Sequence, residues 1–192
     1  GSEVNFRRVE NVGPKVSKEL LNAGLLAISL SLAAMLFYIW IRFEWQFSLG
    51  AIVALIHDVI ITVGIFSLLS YEVNLSIVAA VLTIVGYSMN DTVVIFDRIR
   101  ENLKKYSKIS IKEISDISIN QTLSRTLITS VTTLLALFSI YIFGGSILKG
   151  FSFAMIIGVV VGTYSSIFVA TPILNYTNVS QKTILKEDNE NN

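Results

Sequence analysis

The sequence contains no cysteine and a single histidine, His57. The first absence excludes disulfides, thiolate metal sites and a cysteine nucleophile, and the second leaves no imidazole cluster to hold a metal. Charge is scarce as well. Only 15% of residues are Asp, Glu, Lys or Arg against 53% apolar, and the mean hydropathy is +0.66. A soluble domain of 192 residues is not this oily. The few charges are segregated between apolar runs and build no continuous basic face, so the formal net charge of +1 does not point to nucleic acid. The composition is that of a membrane protein, and no nucleophile–base pair, metal cluster or cofactor motif stands out in it.

What is present is five apolar runs, at about 20–41, 46–70, 73–96, 122–143 and 147–174. At 1.5 Å per residue, each is long enough to cross a hydrocarbon core of about 30 Å. Gly13-Pro14 makes a helix start, because proline at the first helical position sacrifices no hydrogen bond. Trp40 and Trp45 bracket the far end of the first run, at the depth where interfacial aromatics collect. The breaks at Arg42–Trp45 and Tyr71–Glu72 are so short that the runs they join must be antiparallel hairpins, and Gly144-Gly145 makes another tight turn. Between 97 and 121 the chain is charged; Ser110 and Glu113 have capping-box spacing, and Ile111, Ile114 and Ile117 recur every third residue. That pattern predicts a short amphipathic helix on the membrane surface. The expected fold is therefore all-α: a polytopic bundle of five transmembrane helices plus a short cytoplasmic amphipathic helix.

Five spans put the two ends on opposite sides. The connection 97–121 carries Arg98, Arg100, Lys104, Lys105, Lys108 and Lys112, and shares its side with Lys182 and Lys186, so the positive-inside rule makes that side cytoplasmic. The tail, 175–192, is acidic and Asn-rich toward its end and is expected to be disordered. The start of the chain then faces outward, which calls for a preceding span. Gly1-Ser2 resembles a cleavage scar of recombinant production, and a longer natural protein is expected.

Ionisable groups inside the runs carry the functional reading. A charge at the bilayer centre costs about 3 kcal/mol even on insertion scales, so such a group faces the bundle interior or an ion path. On the third run Thr83, Tyr87, Asn90 and Asp91 share one helical face, and on the fourth Thr122, Arg125, Thr126, Thr129 and Thr133 recur at steps of three and four. The third run enters the cytoplasmic side and the fourth leaves it, so Asp91 and Arg125 lie at similar depth and can approach. Their separation would then control whether Asp91 holds a proton, the requirement for a proton carrier. The other readings are a fixed ion pair that sets helix register, or an Arg125 that snorkels to the surface as an anchor. His57 and Asp58 lie near mid-membrane but point about 100° apart, and serve either proton movement or hydrogen bonding within the bundle. On the fifth run Ala154, Gly158, Gly162 and Ser166 recur every four residues, a spacing that lets helix backbones pack closely. Gly64 and Gly86 are expected to be further sites of close approach.

The run from Gly86 to Asn102, Gly-Tyr-Ser-Met-Asn-Asp-Thr-Val-Val-Ile-Phe-Asp-Arg-Ile-Arg-Glu-Asn, closely resembles the signature of the SecF family. His57-Asp58-Val59, Glu72-Val73-Asn74-Leu75, Thr122-Leu123-Ser124-Arg125-Thr126, Phe143-Gly144-Gly145 and Gly162-Thr163-Tyr164-Ser165-Ser166 agree with it in order, and the resemblance covers roughly 13–174. Members belong to the resistance–nodulation–division superfamily, whose bundles are built of two six-helix halves. The resemblance implies that these five spans are part of one half of a pseudo-symmetric bundle, that 3–13 is the remnant of a periplasmic domain, and that SecD supplies the other half.

It implies further that the complex sits in the bacterial inner membrane beside the SecYEG translocon. There it would use proton flow to draw preproteins outward through periplasmic domains, in contact with membrane lipid and not with nucleic acid. The family's relay carboxylate and arginine match Asp91 and Arg125, with Asn90, Thr129 and Asp58 as polar stepping points. A static scaffold for SecD and the translocon is the alternative, and an independent small-molecule transporter the third reading.

Overall fold

The computed structural model describes residues 14–70, 75–106, 109–177 and 179. The expected scar at 1–2, the periplasmic remnant at 3–13, the break at Tyr71–Glu72 and nearly all of the tail beyond Thr177 lie outside the described residues. Five long helices, α1 (Pro14–Arg42), α2 (Trp45–Leu68), α3 (Leu75–Lys105), α4 (Ile111–Phe143) and α5 (Gly145–Ser165), make up the fold, with no strand among the described residues. Each helix, α5 together with its continuation to Tyr176, is long and apolar enough to cross a membrane. The chain is a multi-pass, all-α membrane protein.

α4 starts where the capping box placed it. Ser110 has extended backbone angles and its hydroxyl accepts a hydrogen bond from the Glu113 N–H at 3.3 Å. The helix that begins there does not end before the fourth span; it runs on unbroken to Phe143. Nothing between Ser110 and Thr122 breaks a helix, so the amphipathic segment is the N-terminal part of α4. The turn into α5 needs glycine: Gly145 has φ of +75°, a backbone conformation that costs other residues about 1–2 kcal/mol.

α5 does not stop at Ser165. It passes through a π-helical turn, Ser166–Ala170, into α6 (Thr171–Tyr176). Pro172 accounts for the change. It offers no N–H to the carbonyl of Phe168 and its ring crowds that carbonyl, so the helix widens by one residue. The Thr171 hydroxyl donates to the Ser166 carbonyl at 2.9 Å and satisfies it.

α3 is the centre of the bundle and packs against all four other long helices, most extensively against α5. The α3–α5 contact is close because glycine lines it. A Cβ on Gly158 would lie 2.3 Å from Ile84 Cγ1, and one on Gly162 would lie 3.0 Å from Ser88 Cβ. Ala154, on the same face, is fully buried. Gly64 and Gly86 are different: a Cβ at either would meet nothing within 4 Å among the described residues, so the expectation of close approach there is corrected for this chain. Gly86 lies on an exposed part of α3 and Gly64 on the half-buried flank of α2.

Two apolar clusters fill the interior. One, toward the end where α1 turns into α2 and α3 into α4, holds Phe43, Phe47, Phe96, Ile99, Ile114 and Leu174, with the Phe47 and Phe96 rings edge-on at 5.2 Å. The other holds Phe66, Ile77, Ile84, Leu137, Met155 and Val159. On α2, α3 and α5 the passage from one cluster to the other is marked by polar residues, among them Asp58, Ser88, Asp91, Thr92 and Ser165, all buried. The outer surface is rich in large apolar side chains such as Leu30, Ile60, Ile128 and Leu135, as a lipid-facing surface requires.

Candidate functional site: two buried carboxylates on adjoining helices

Asp58 is the more heavily bonded of the two carboxylates. Its side chain is 0% exposed, and Ser88 of α3 and Ser165 of α5 both donate to its Oδ2, the latter at 2.7 Å. His57 Nδ1 lies 3.0 Å from Oδ1. Neighbouring residues on a helix point about 100° apart, but the imidazole is long enough to fold back onto the carboxylate. Next to this group the hydroxyls of Thr92 and Ser166 lie 2.9 Å apart, which joins α3 to the π turn. Asp58 thus ties three helices together.

Asp91 is placed one turn beyond Ser88 on α3 and is 4% exposed. Its Oδ2 is buried and has no hydrogen-bond partner among the described residues. Arg125 is exposed on α4, and no hydrogen bond or ion pair joins it to Asp91 among the described residues. The two helices are held in a definite register. Tyr87 donates to the Thr129 carbonyl at 3.3 Å, Arg98 to Gln121 at 2.7 Å and Asn102 to Ser118 at 2.8 Å. This antiparallel register puts Asp91 level with the turn of α4 that carries Arg125, Thr126 and Thr129. Asn90 is exposed, and the Thr129 hydroxyl bonds back to the Arg125 carbonyl at 3.0 Å.

The face expected to be one polar stripe on α3 is therefore split. Asp91 turns inward and Tyr87 is half-buried, while Thr83 and Asn90 lie on the outside of the bundle, as does Arg125. The reason is the width of the interior. α5 and α2 occupy the face of α3 centred on Ser88 and Thr92, and Asp91 is the edge of that face, not the middle of the outer stripe. Serines 88 and 165 were not singled out from the sequence, although both fall inside the quoted motifs. A small hydroxyl near a buried Asp is the signal, and it becomes legible only when the helices are docked.

At the end of the bundle where α1 turns into α2, charges on α3 are paired. Arg100 donates from Nε and Nη2 to Glu44 Oε1 at 3.1 and 2.7 Å, and Arg42 donates to Asp97 at 2.7 Å. Arg42 and Arg100 also stand over the Phe43 ring, 4.9 and 5.7 Å from its centroid. The hairpin between α1 and α2 is thereby clamped to α3. Among the described residues no group of three His, Cys, Asp or Glu side chains is placed to hold a metal.

A family profile described as protein export membrane protein SecD/SecF, C-terminal, matches residues 1–180. Proteins named protein translocase subunit SecF are similar over most of the chain. That of Cereibacter sphaeroides is 51% identical over 178 residues, 93% of this chain and 55% of the relative. That of Koribacter versatilis is 56% identical over 173 residues, 90% and 43% of the two chains. The chain thus spans about half the length of the curated relatives it matches. The crystal structure of SecDF, a translocon-associated membrane protein from Thermus thermophilus, superposes with a TM-score of 0.83 at 44% identity, over 87% of this chain and 23% of that one. A second SecDF structure, in a super-membrane-facing form, gives a TM-score of 0.78 at 41% identity, over 93% and 24% of the two chains. With a profile match over nearly its whole length, the chain belongs to the SecD/SecF family of protein-export membrane proteins.

Proposed function

We propose that the chain is a membrane subunit of the bacterial Sec export machinery that, with SecD, couples proton flow to preprotein translocation across the inner membrane. The observation that carries this reading is Asp91: a carboxylate on the central helix, 4% exposed, with one oxygen unpartnered among the described residues and an arginine level with it on α4 but not bonded to it. A static ion pair would be closed by hydrogen bonds. In this reading Asp91 takes up and releases a proton, and Arg125, level with it on α4, sets how firmly the proton is held. No covalent chemistry on a substrate is required.

Thr83, Asn90 and Arg125 lie on the outside of the bundle at membrane depth, where lipid is a poor neighbour for them. A second, SecD-type half covering that face would satisfy them, which supports SecD as the partner. The SecYEG translocon and the preprotein would be met through parts beyond the described residues. Asp58 fits a different task. Its hydrogen bonds to α3 and α5 favour an anchor over a stepping point, and to that extent favour the scaffold reading for that residue alone.

The test is preprotein export by the full-length protein with SecD, at fixed membrane potential and pH gradient. Asp91→Asn and Arg125→Met should each abolish the gradient-dependent part of export while the complex still assembles. Export at the unmodified rate by Asp91→Asn would remove the relay and leave Asp91 a structural group.

A further inference from the structure

The inward face of α4 is hydroxylic over much of its length. Ser115, Ser118, Thr122 and Thr126 recur at steps of three, four and four, and none is more than 8% exposed. The series begins in the cytoplasmic end of α4 and, over about 16 Å at 1.5 Å per residue, reaches the level of Asp91. Buried hydroxyls on a helix are ordinarily closed by their own backbone. Two of these four are: Ser118 donates to the Ile114 carbonyl at 2.7 Å and Thr122 to the Ser118 carbonyl at 2.9 Å. The other two are not. Ser115 Oγ, at the outer end, and Thr126 Oγ1, at the inner end, are buried with no partner among the described residues, and so is Asp91 Oδ2 on the facing helix.

A buried polar atom without a partner costs about 1–3 kcal/mol, and three of them on one seam call for a common explanation. α3 flanks the same seam. Asn102 donates to the Ser118 hydroxyl at 2.8 Å and to Gln121 at 2.9 Å, so the register places further polar groups beside it. Successive hydroxyls stand about 5–6 Å apart along the helix, which is too far for a direct bond but right for one bridging water between each pair. A bridging water would give each unpartnered atom a partner.

We propose that Ser115, Ser118, Thr122 and Thr126 line the cytoplasmic limb of the proton path, a file of hydroxyls and bridging waters that ends at Asp91. This rests on the relay reading of Asp91 and names its route to the cytoplasm. A proton leaving Asp91 passes to a water held by Thr126 as a neighbouring O–H bond breaks, and the exchange repeats outward to Ser115. The bridging waters donate and accept at once, while the Ser118 and Thr122 hydroxyls, whose hydrogens rest on backbone carbonyls, hold them as acceptors, so the file needs no further titratable group.

The experiment is proton flux under an imposed pH gradient, in vesicles holding the full-length protein assembled with SecD. Flux that Asp91→Asn abolishes is the quantity measured. Thr126→Val, which keeps the shape and removes the hydroxyl, should slow it at least about tenfold, and Thr126→Ser should restore it. Ser115→Ala should slow it as well. Ser139→Ala, on the exposed side of α4 with its hydroxyl on the Leu135 carbonyl, should leave it unchanged. Unmodified flux in an assembled Thr126→Val complex would overturn the file while leaving the relay standing. Should Thr126→Val fail to assemble, unmodified flux in Ser115→Ala overturns it instead. If the unmodified complex shows no Asp91-dependent flux, the relay reading itself falls and the file with it.

Discussion

Ser165 of α5 donates its hydroxyl to Asp58 of α2 at 2.7 Å, and Ser88 of α3 donates to the same carboxylate oxygen. One buried acid thereby fixes the mutual positions of three helices. Asp58→Ala leaves the buried Ser88 and Ser165 hydroxyls without that partner, and is expected to destabilise the bundle by about 2–5 kcal/mol. Asp58→Asn keeps the shape and one acceptor oxygen and should lose less. Chemical unfolding in detergent, followed by helical circular dichroism, measures both; equal losses would mean that the carboxylate's hydrogen bonds are not what matters.

Close helix approach is concentrated at a few glycines. Gly158→Val would drive its side chain into Ile84 and should cost at least about 1–3 kcal/mol. Pairing it with Ile84→Ala should recover part of the loss, a coupling that a double-mutant cycle detects. Gly64→Ala and Gly86→Ala meet nothing within 4 Å and should be neutral or stabilising by up to about 1 kcal/mol, because alanine is the better helix former.

The two ion pairs between the α1–α2 hairpin and α3 should differ in weight. Glu44 is 2% exposed, so Arg100→Met strands a buried carboxylate and is expected to cost about 3–5 kcal/mol. Asp97 is 42% exposed, and Arg42→Met should cost no more than about 1 kcal/mol, less at high salt. Unfolding midpoints at low and high ionic strength distinguish the two, and a salt-sensitive Arg100–Glu44 pair would contradict the burial argument.

Run length and hydropathy made the five spans legible, because crossing a bilayer imposes a minimum length that composition alone reveals. The Ser110 cap was legible for a similar reason: a cap is a local contact between residues three apart. The π turn was not, since its cause, Pro172, reads equally as a helix end. The expectation for Gly64 and Gly86 failed because spacing alone does not say which face of a helix is covered. The polar stripe of α3 was visible as a periodicity, yet its division between Asp91 inside and Asn90 outside depends on where α5 docks. Asp58 stood out as an ion in an apolar run, but Ser88 and Ser165 became its partners only across 30 and 107 residues of chain.

Under the relay proposed for the chain, Asp91 changes its protonation state while Asp58 does not. Infrared difference spectroscopy of the full-length protein with SecD, between high and low pH on the cytoplasmic side, reports the carbonyl stretch of a protonated carboxyl directly. The account predicts one such band that disappears in Asp91→Asn and persists in Asp58→Asn. A band that survives Asp91→Asn and vanishes with Asp58→Asn would contradict it and move the carrier to the carboxylate that ties α2, α3 and α5 together.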